Sequence, residues 1–120
     1  MTPKFRGFRK DGKGWVEGYS LKKGNEHCIW DNDSLTMYVI VPESLGMSTT
    51  LPDKHGKEIF GAIGEKGGDR IEITTGFIGV VKYRNGSFII ENESGQFYYL
   101  GELISNLCYT IIGNQYESNG

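Results

Sequence analysis

The spacing of apolar and polar positions predicts that most of this chain forms short β-strands. Alternating or continuous apolar segments are separated throughout by turn-forming residues. The predicted strands span residues 4–9, 14–21, 27–31, 36–41, 70–73, 77–83, 87–91, 97–100 and 108–116. The strongest hairpin signal is Asn85-Gly86, because a type I′ turn needs positive φ at both central residues.

Two segments depart from the strand pattern. Residues 100–107 place Leu100, Leu103, Ile104 and Leu107 at helical spacing, which predicts one short helix. Residues 42–58 contain two prolines, two glycines and a Ser/Thr cluster, which predicts a structured loop with one helical turn near 43–45 and a charged turn at 53–57.

The fold class that follows is mainly β with minor α. At 120 residues the chain is predicted to be a single domain spanning 1–120. Its 18 glycines against three prolines favour many turns and bulges. We expect two lobes: residues 1–60 with hairpins and the loop, and residues 61–120 with an SH3-like, partly open β-barrel.

The segment GEKGGDRIEI, which begins at Gly64, raises the question of a phosphate-binding loop. It lacks the order G-x-x-x-x-G-K-[ST], and a strand follows it instead of a helix. We therefore predict a turn in which Gly67 and Gly68 adopt positive φ and Asp69 caps the turn. In this interpretation Lys66→Ala is neutral and Gly68→Val is destabilising.

The charge distribution is uneven along the chain. The net charge is −2, yet residues 1–13 hold five basic residues against one acidic residue, a balance of +4. Aromatic residues beside these cations, and Lys-Tyr-Arg at 82–84, are typical of surfaces that bind nucleic acid. The candidate contacts to nucleic acid or to a partner are Arg6, Arg9, Lys10, Lys13, Trp15, Lys82 and Arg84. The alternative is a solvated edge strand whose aromatic residues belong to the core.

The sequence carries little sign of catalysis or of metal binding. His27, Cys28, His55 and Cys108 lack the close spacing of zinc ligands, and no nucleophile or metalloprotease motif is present. We predict no cofactor and no enzymatic activity, with an enzyme of dispersed site as a remaining alternative. No apolar segment has the length of a signal peptide core or a membrane span, which predicts a cytoplasmic protein that does not bind membranes.

Seven stretches, in order, resemble the YopX family of phage and prophage proteins. They are KFRG from Lys4, GWVEGY from Gly14, VPESLG from Val41, DKHGKEIF from Asp53, GGDRIEI from Gly67, GVVKYRNGSF from Gly79 and IIGNQYE from Ile111. The resemblance implies a small β-rich protein that acts inside a bacterial host, and it implies no catalytic residues. We therefore expect a non-enzymatic binding or assembly module whose partner is a protein or a second copy. The alternative is a nucleic-acid-associated barrel protein that uses the N-terminal aromatic and basic strand.

Overall fold

The chain is mainly β, as the alternation predicts. The computed structural model describes residues 3–101 and 108–117. Its strands are β1 Phe5–Phe8, β2 Trp15–Lys23, β3 Glu26–Asp31, β4 Thr36–Val39, β5 Gly46–Pro52, β6 Glu58–Ala62, β7 Asp69–Ile73, β8 Ile78–Arg84, β9 Ser87–Glu91, β10 Phe97–Tyr99 and β11 Tyr109–Asn114. A 3₁₀ helix at Pro42–Ser44 confirms the helical turn predicted near that position.

Hydrogen bonding joins the strands into an open sheet. The order is β10-β9-β8-β6-β5-β1-β2-β3-β4, and β7 pairs with both β8 and β11. All of these pairs are antiparallel except β6 with β8. The path has ends at β4 and β10, so the sheet does not close on itself.

Strand β2 takes part in two different regions of this sheet. Its first part, Trp15 to Gly18, pairs with β1, and its second part, Tyr19 to Lys23, pairs with β3. A Cβ at Gly18 would overlap the carbonyl group of Trp30, so glycine permits the change of partner at this point. The antiparallel meander β2–β3–β4 therefore departs from β1 at Gly18, and the end of β4 returns to the end of β1, where Arg9 bridges Ile40.

The prediction of a loop over 42–58 was wrong for its central part, because residues 46–52 form β5. The polar side chains of this strand interrupt the alternation of apolar and polar positions, so the sequence pattern did not predict it. Ser48 and Thr49 are buried, and the Thr49 hydroxyl donates to the Ile59 carbonyl oxygen at 2.8 Å, which satisfies it inside the sheet. A register shift between Ser48 and Pro52 accommodates Thr50 at a φ of 65°.

Two other local predictions have clear outcomes. Asn85 and Gly86 have φ values of 53° and 83°, which confirms the positive φ predicted for both residues of the β8–β9 turn. The predicted helix at 100–107 falls largely on residues 102–107, which lie outside the described residues; Leu100 and Gly101 form a turn.

Two groups of buried apolar residues form the core. One contains Ile59, Ile71, Ile73, Val81, Ile90 and Tyr109. The other contains Ile29, Ile40 and Leu45, with Phe5 and Val16 packed against it. Strand β1 lies beside the second group, so the side chains of β1 decide how the N-terminal hairpin is joined to the rest of the molecule.

Candidate functional site

Arg6, the first of the predicted contact residues, lies in the interior. Only 8% of its surface is exposed. Its Nη2 donates to Asp69 Oδ1 at 2.9 Å and to the Gly67 carbonyl oxygen at 3.1 Å. The guanidinium carbon lies 4.8 Å from the ring centroids of both Trp15 and Phe60. Because this cation is enclosed and paired, it is withdrawn from any phosphate or partner surface, and its removal would leave the buried Asp69 carboxylate without a counter-charge.

The cluster of Arg6, Trp15, Phe60, Gly67 and Asp69 is here called the Arg6 junction. Asp69 is 2% exposed and also accepts the Phe60 backbone N–H at 2.8 Å. Burial raises the pKa of the Asp69 carboxyl, and the Arg6 guanidinium and the Phe60 N–H offset part of that effect. Asp69 thus does not cap its own turn as the sequence suggested; it fixes β1 against β6 instead.

The paired glycines of GEKGG, Gly67 and Gly68, are required by close backbone packing and not by a turn conformation. Neither Gly67 nor Gly68 has a positive φ, so the predicted reason for these glycines was wrong. A Cβ at Gly67 would overlap the Leu45 carbonyl group, and a Cβ at Gly68 would overlap the Val81 carbonyl oxygen. The glycines are required because two other backbone segments approach them closely. Lys66 is exposed, and its backbone N–H donates to the Glu43 carbonyl oxygen at 2.8 Å.

The C-terminal segment closes the Arg6 junction from outside. The Trp15 indole N–H donates to Glu117 Oε1 at 2.7 Å, and the Tyr116 ring packs against Phe8 and Trp15 at centroid distances of 5.0 and 5.8 Å. Gln115 exchanges two hydrogen bonds with the backbone of Gly68. Trp15, a predicted contact residue, is therefore held in an aromatic cluster with its indole N–H occupied.

The remaining N-terminal cations lie at the surface and are spread out. Arg9 pairs with Asp11 at 2.5 Å and packs over the Tyr38 ring, whereas the Lys10 ammonium lies 3.9 Å from a carboxylate oxygen of Glu26. The Lys13 backbone N–H donates to Asp11, and this hydrogen bond, together with Arg9, holds the pKa of Asp11 below its usual value. Each acidic neighbour reduces the positive potential that a phosphate would meet.

Lys82 and Arg84 form a separate group on β8. Both bind Glu91 on β9: Lys82 at 2.8 Å, and Arg84 through two contacts at 3.0 and 3.1 Å. These two cations hold the pKa of Glu91 at about 2, compared with its ordinary value of 4.5. Strands β6 and β5 lie between β8 and β1, so the structure does not unite this pair with the N-terminal cations.

This triad gives a pH-dependent contribution to stability. The folded-state pKa of Glu91 is lowered, so its contribution is fully present above pH 4.5 and disappears as the pH falls towards about 2. We expect Glu91→Gln to lower the free energy of unfolding at pH 7 by roughly 0.2–1 kcal/mol, the range of surface ion pairs. Urea unfolding of both proteins at pH 7 and near pH 2 should show the difference shrinking at the acidic end. Glu93→Gln is the control, because Glu93 is exposed and has no ion pair within the described residues.

A buried carboxylate at Asp53 organises the turn predicted at 53–57. It accepts the backbone N–H groups of His55 and Lys57 at 2.9 Å each and of Ile111 at 3.0 Å. Burial opposes its ionisation, but these donors outweigh it and keep the pKa of Asp53 below its ordinary value. The sequence indicated the turn, but it gave no sign that Asp53 joins that turn to β11.

The residues considered for catalysis or metal binding are distributed over the fold. Cys28 is buried in β3, and Cys108 packs against the core group that contains Tyr109. The turn that carries His55 lies against β11, since the Lys54 N–H donates to the Tyr109 carbonyl oxygen at 2.9 Å. Among residues 3–101 and 108–117, no three His, Cys, Asp or Glu side chains are grouped to hold a metal ion.

The outer face of the β2–β3–β4 meander is apolar, a feature that the sequence interpretation missed. Directly paired residues share a face of a sheet, which places two rows of side chains on this side. The rows are Tyr19, Trp30 and Met37, and Leu21, Cys28 and Val39. Ile29 points the opposite way, into the core. We call these two rows the meander face. The alternating pattern of residues 14–21 predicted the strand, but alternation does not say which face another element covers.

Exposure shows that three of the six side chains of the meander face are open to water, whereas Trp30 and Val39 are half-buried and Cys28 is buried. Tyr19, Leu21 and Met37 are 42%, 37% and 36% exposed. Leu35, in the turn between β3 and β4, is 69% exposed and has a φ of 53°. A left-handed conformation is unusual for a bulky side chain and costs roughly 1–2 kcal/mol. Leu35 therefore has both a strained backbone and an apolar side chain exposed to water. Both features raise the free energy of the isolated molecule.

Comparison with protein-family models identifies a match over almost the whole chain. The family model described as YopX protein matches residues 4–120. A search of curated proteins finds no match. In the described part of the chain, no helical segment has the length and apolar character needed to traverse a bilayer.

Proposed function

This chain belongs to the YopX protein family, and on that premise we propose that it is a phage- or prophage-encoded accessory protein that works by binding protein surfaces. It acts in the cytoplasm of a bacterial host and performs no catalysis of its own. The family match supports the origin, and the burial of Cys28, which is 1% exposed, argues against a reactive thiol at that position. Unchanged function after replacement of both cysteines and His55 would agree with this; lost function would favour a dispersed enzyme site.

The open meander face is the single observation that carries the binding function. Exposed apolar residues are common singly, but a contiguous group on one sheet face is typical of interaction surfaces. Tyr19, Leu21 and Met37 form such a group, and the strained Leu35 adjoins it. The junction around Arg6, by contrast, is closed and internally satisfied apart from the buried Arg6 Nε, so it offers no comparable surface.

A photo-crosslinking amino acid at position 37 tests this function in producing cells. We expect protein adducts from position 37 and loss of these adducts when Leu35→Asp is added, because a charge at the edge of the face opposes desolvation. The matched control places the crosslinker at Ile63, which is 43% exposed but lies away from the meander. Nucleic-acid adducts, or equal protein yields from positions 37 and 63, would contradict the assignment.

The second candidate function is nucleic-acid binding on the outer face of β8, β9 and β10. The register places Phe97 opposite Glu91 and Tyr99 opposite Ile89, so two exposed aromatic rings lie beside Lys82 and Arg84. Such rings stack on bases in single-stranded complexes. Here Glu91 engages both cations, so Glu91→Gln should strengthen binding to single-stranded DNA at about 50 mM salt. No binding by either protein would remove this candidate.

We also propose that residues 61–120 form an SH3-like, partly open barrel, the second of two lobes. The pairing of β8 with β6, β7 and β9 around one apolar group supports this arrangement. An experimental structure that includes residues 102–107 would test it, since a barrel requires the strand path to curve back on itself.

A further inference from the structure

We propose that the meander face binds the same face of a second copy of this chain, with the two meanders antiparallel. The inference rests on the proposed binding function and names its partner. The two-fold axis lies in the plane of the interface, perpendicular to the strands. Each copy contributes the same residues, as a two-fold interface requires.

The β2–β3 turn, which forms one end of the meander, carries a net positive charge. Lys23 extends the row of Tyr19 and Leu21 along β2, and it lies opposite Glu26. On the meander face this end holds the exposed cations Lys10 and Lys23 and one carboxylate, Glu26, a balance of +1. Lys22 is not counted because it alternates with Lys23 and points to the opposite face. The end is therefore basic.

The other end of the meander has the opposite sign. On the meander face its charged residues are Glu17 and Asp33, with Lys4 as the cation that pairs with Glu17 at 3.4 Å, a balance of −1. Asp31 is not counted because it alternates with Trp30 and points to the opposite face. Lys4 is also bound to Glu58 at 2.6 Å, which weakens its effect on this end. Asp33 lies in the turn beside Leu35 and is exposed. The end is therefore acidic.

These opposite ends select a second copy and its direction. When one meander is turned over about an axis perpendicular to its strands, the Lys23 end of each copy lies over the Asp33 end of the other. Opposite charges then meet at both ends, whereas a parallel arrangement would place like charges together. A face that is apolar in the middle, basic at one end and acidic at the other is thus complementary to itself.

The size of the face sets the strength of the dimer. Three strands about 4.8 Å apart and about 20 Å long present roughly 300 Å² of sheet, less than the roughly 800 Å² per partner of a standard interface. Leu35 enlarges the apolar part at one end and would be desolvated by the partner copy. We expect a weak, reversible dimer that dissociates at low concentration and in high salt.

Charge reversal at the two ends tests the arrangement. We expect sedimentation of the full chain to show a concentration-dependent dimer that is weakened about tenfold or more by Lys23→Glu or by Asp33→Lys alone, since each change brings like charges together twice. A mixture of the two single variants should recover dimerisation, and so should the double variant, because both contacts then pair opposite signs. Lys66→Glu is the control for the net charge change and should leave the dimer unchanged.

The outcomes separate this inference from the proposed function. If the mixture fails to recover the dimer although both variants keep native circular dichroism spectra, the antiparallel pairing is wrong. If the chain remains monomeric at millimolar concentration, self-association is wrong. Protein adducts from position 37 would in that case still support binding to another protein, whereas adducts of two copies of this chain would support both proposals.

Discussion

Replacement of Arg6 by alanine is expected to destabilise the protein by roughly 3–5 kcal/mol, the range observed when one partner of a buried ion pair is removed. The substitution leaves Asp69, which is 2% exposed, without its cation in a region of low dielectric constant. It also empties the space between the Trp15 and Phe60 rings. Urea unfolding followed by circular dichroism measures the change, which is a large part of the total stability of a domain of this size.

Two further variants identify the cause of that effect. Arg9→Ala should change the stability by less than about 1 kcal/mol, because Arg9 pairs with the half-exposed Asp11 at the surface. In the Arg6→Ala background, Asp69→Asn should restore part of the loss, since it removes the unpaired charge. Equal effects of Arg6→Ala and Arg9→Ala would show that the junction does not hold the fold together.

Replacement of Gly67 by alanine is expected to destabilise the protein by roughly 2–3 kcal/mol, near the upper end of the usual range for overpacking. The new Cβ would overlap the Leu45 carbonyl group, and backbone moves less readily than a flexible side chain. Gly68→Val should act in the same direction because its Cβ would meet the Val81 carbonyl oxygen. Thermal and urea unfolding of each variant measure the effect.

Gly56→Ala distinguishes crowding from backbone strain. Gly56 has a φ of 83° and no heavy atom within 4 Å of its added Cβ, so only the left-handed penalty of roughly 1–2 kcal/mol applies there. Lys66→Ala, in the same loop as Gly67, should be nearly neutral because Lys66 is exposed. A neutral Gly67→Ala together with a destabilising Lys66→Ala would reopen the possibility that this loop binds an anion.

Both large effects fall on the stretches that carry the family resemblance. KFRG provides Arg6, GWVEGY provides Trp15, and GGDRIEI provides Gly67 and Asp69. IIGNQYE closes the same junction through Tyr116. By contrast, the exposed residues Leu21, Leu35 and Met37 lie outside every matching stretch, and of the exposed group on the meander face only Tyr19, the last residue of GWVEGY, lies inside one. The resemblance therefore concerns mainly the architecture, and the meander face has to be recognised from the structure.

The sequence by itself determined the features that depend on neighbouring residues. Alternation along the chain located most strands, and Asn85-Gly86 defined its hairpin turn, because side-chain direction and φ preference are local properties. The turn at 53–57 was likewise visible as a group of turn-forming residues. The position of β5 was not, because the Ser48 and Thr49 hydroxyls donate to Glu58 and to the Ile59 carbonyl oxygen on β6, partners that only the assembled sheet provides.

Only the tertiary structure decided what each face of a strand contacts. Arg6 looked like a surface cation until Asp69, from a distant part of the chain, provided a buried counter-charge. Gly67 and Gly68 looked like turn residues until the approach of Leu45 and Val81 explained them. Alternation assigns Tyr19 and Leu21 to one face of β2, but only the packing shows that the meander meets the core through Ile29 on its other face and leaves Tyr19 and Leu21 exposed. A period of two separates two faces of a strand, and only long-range packing determines which of them is buried.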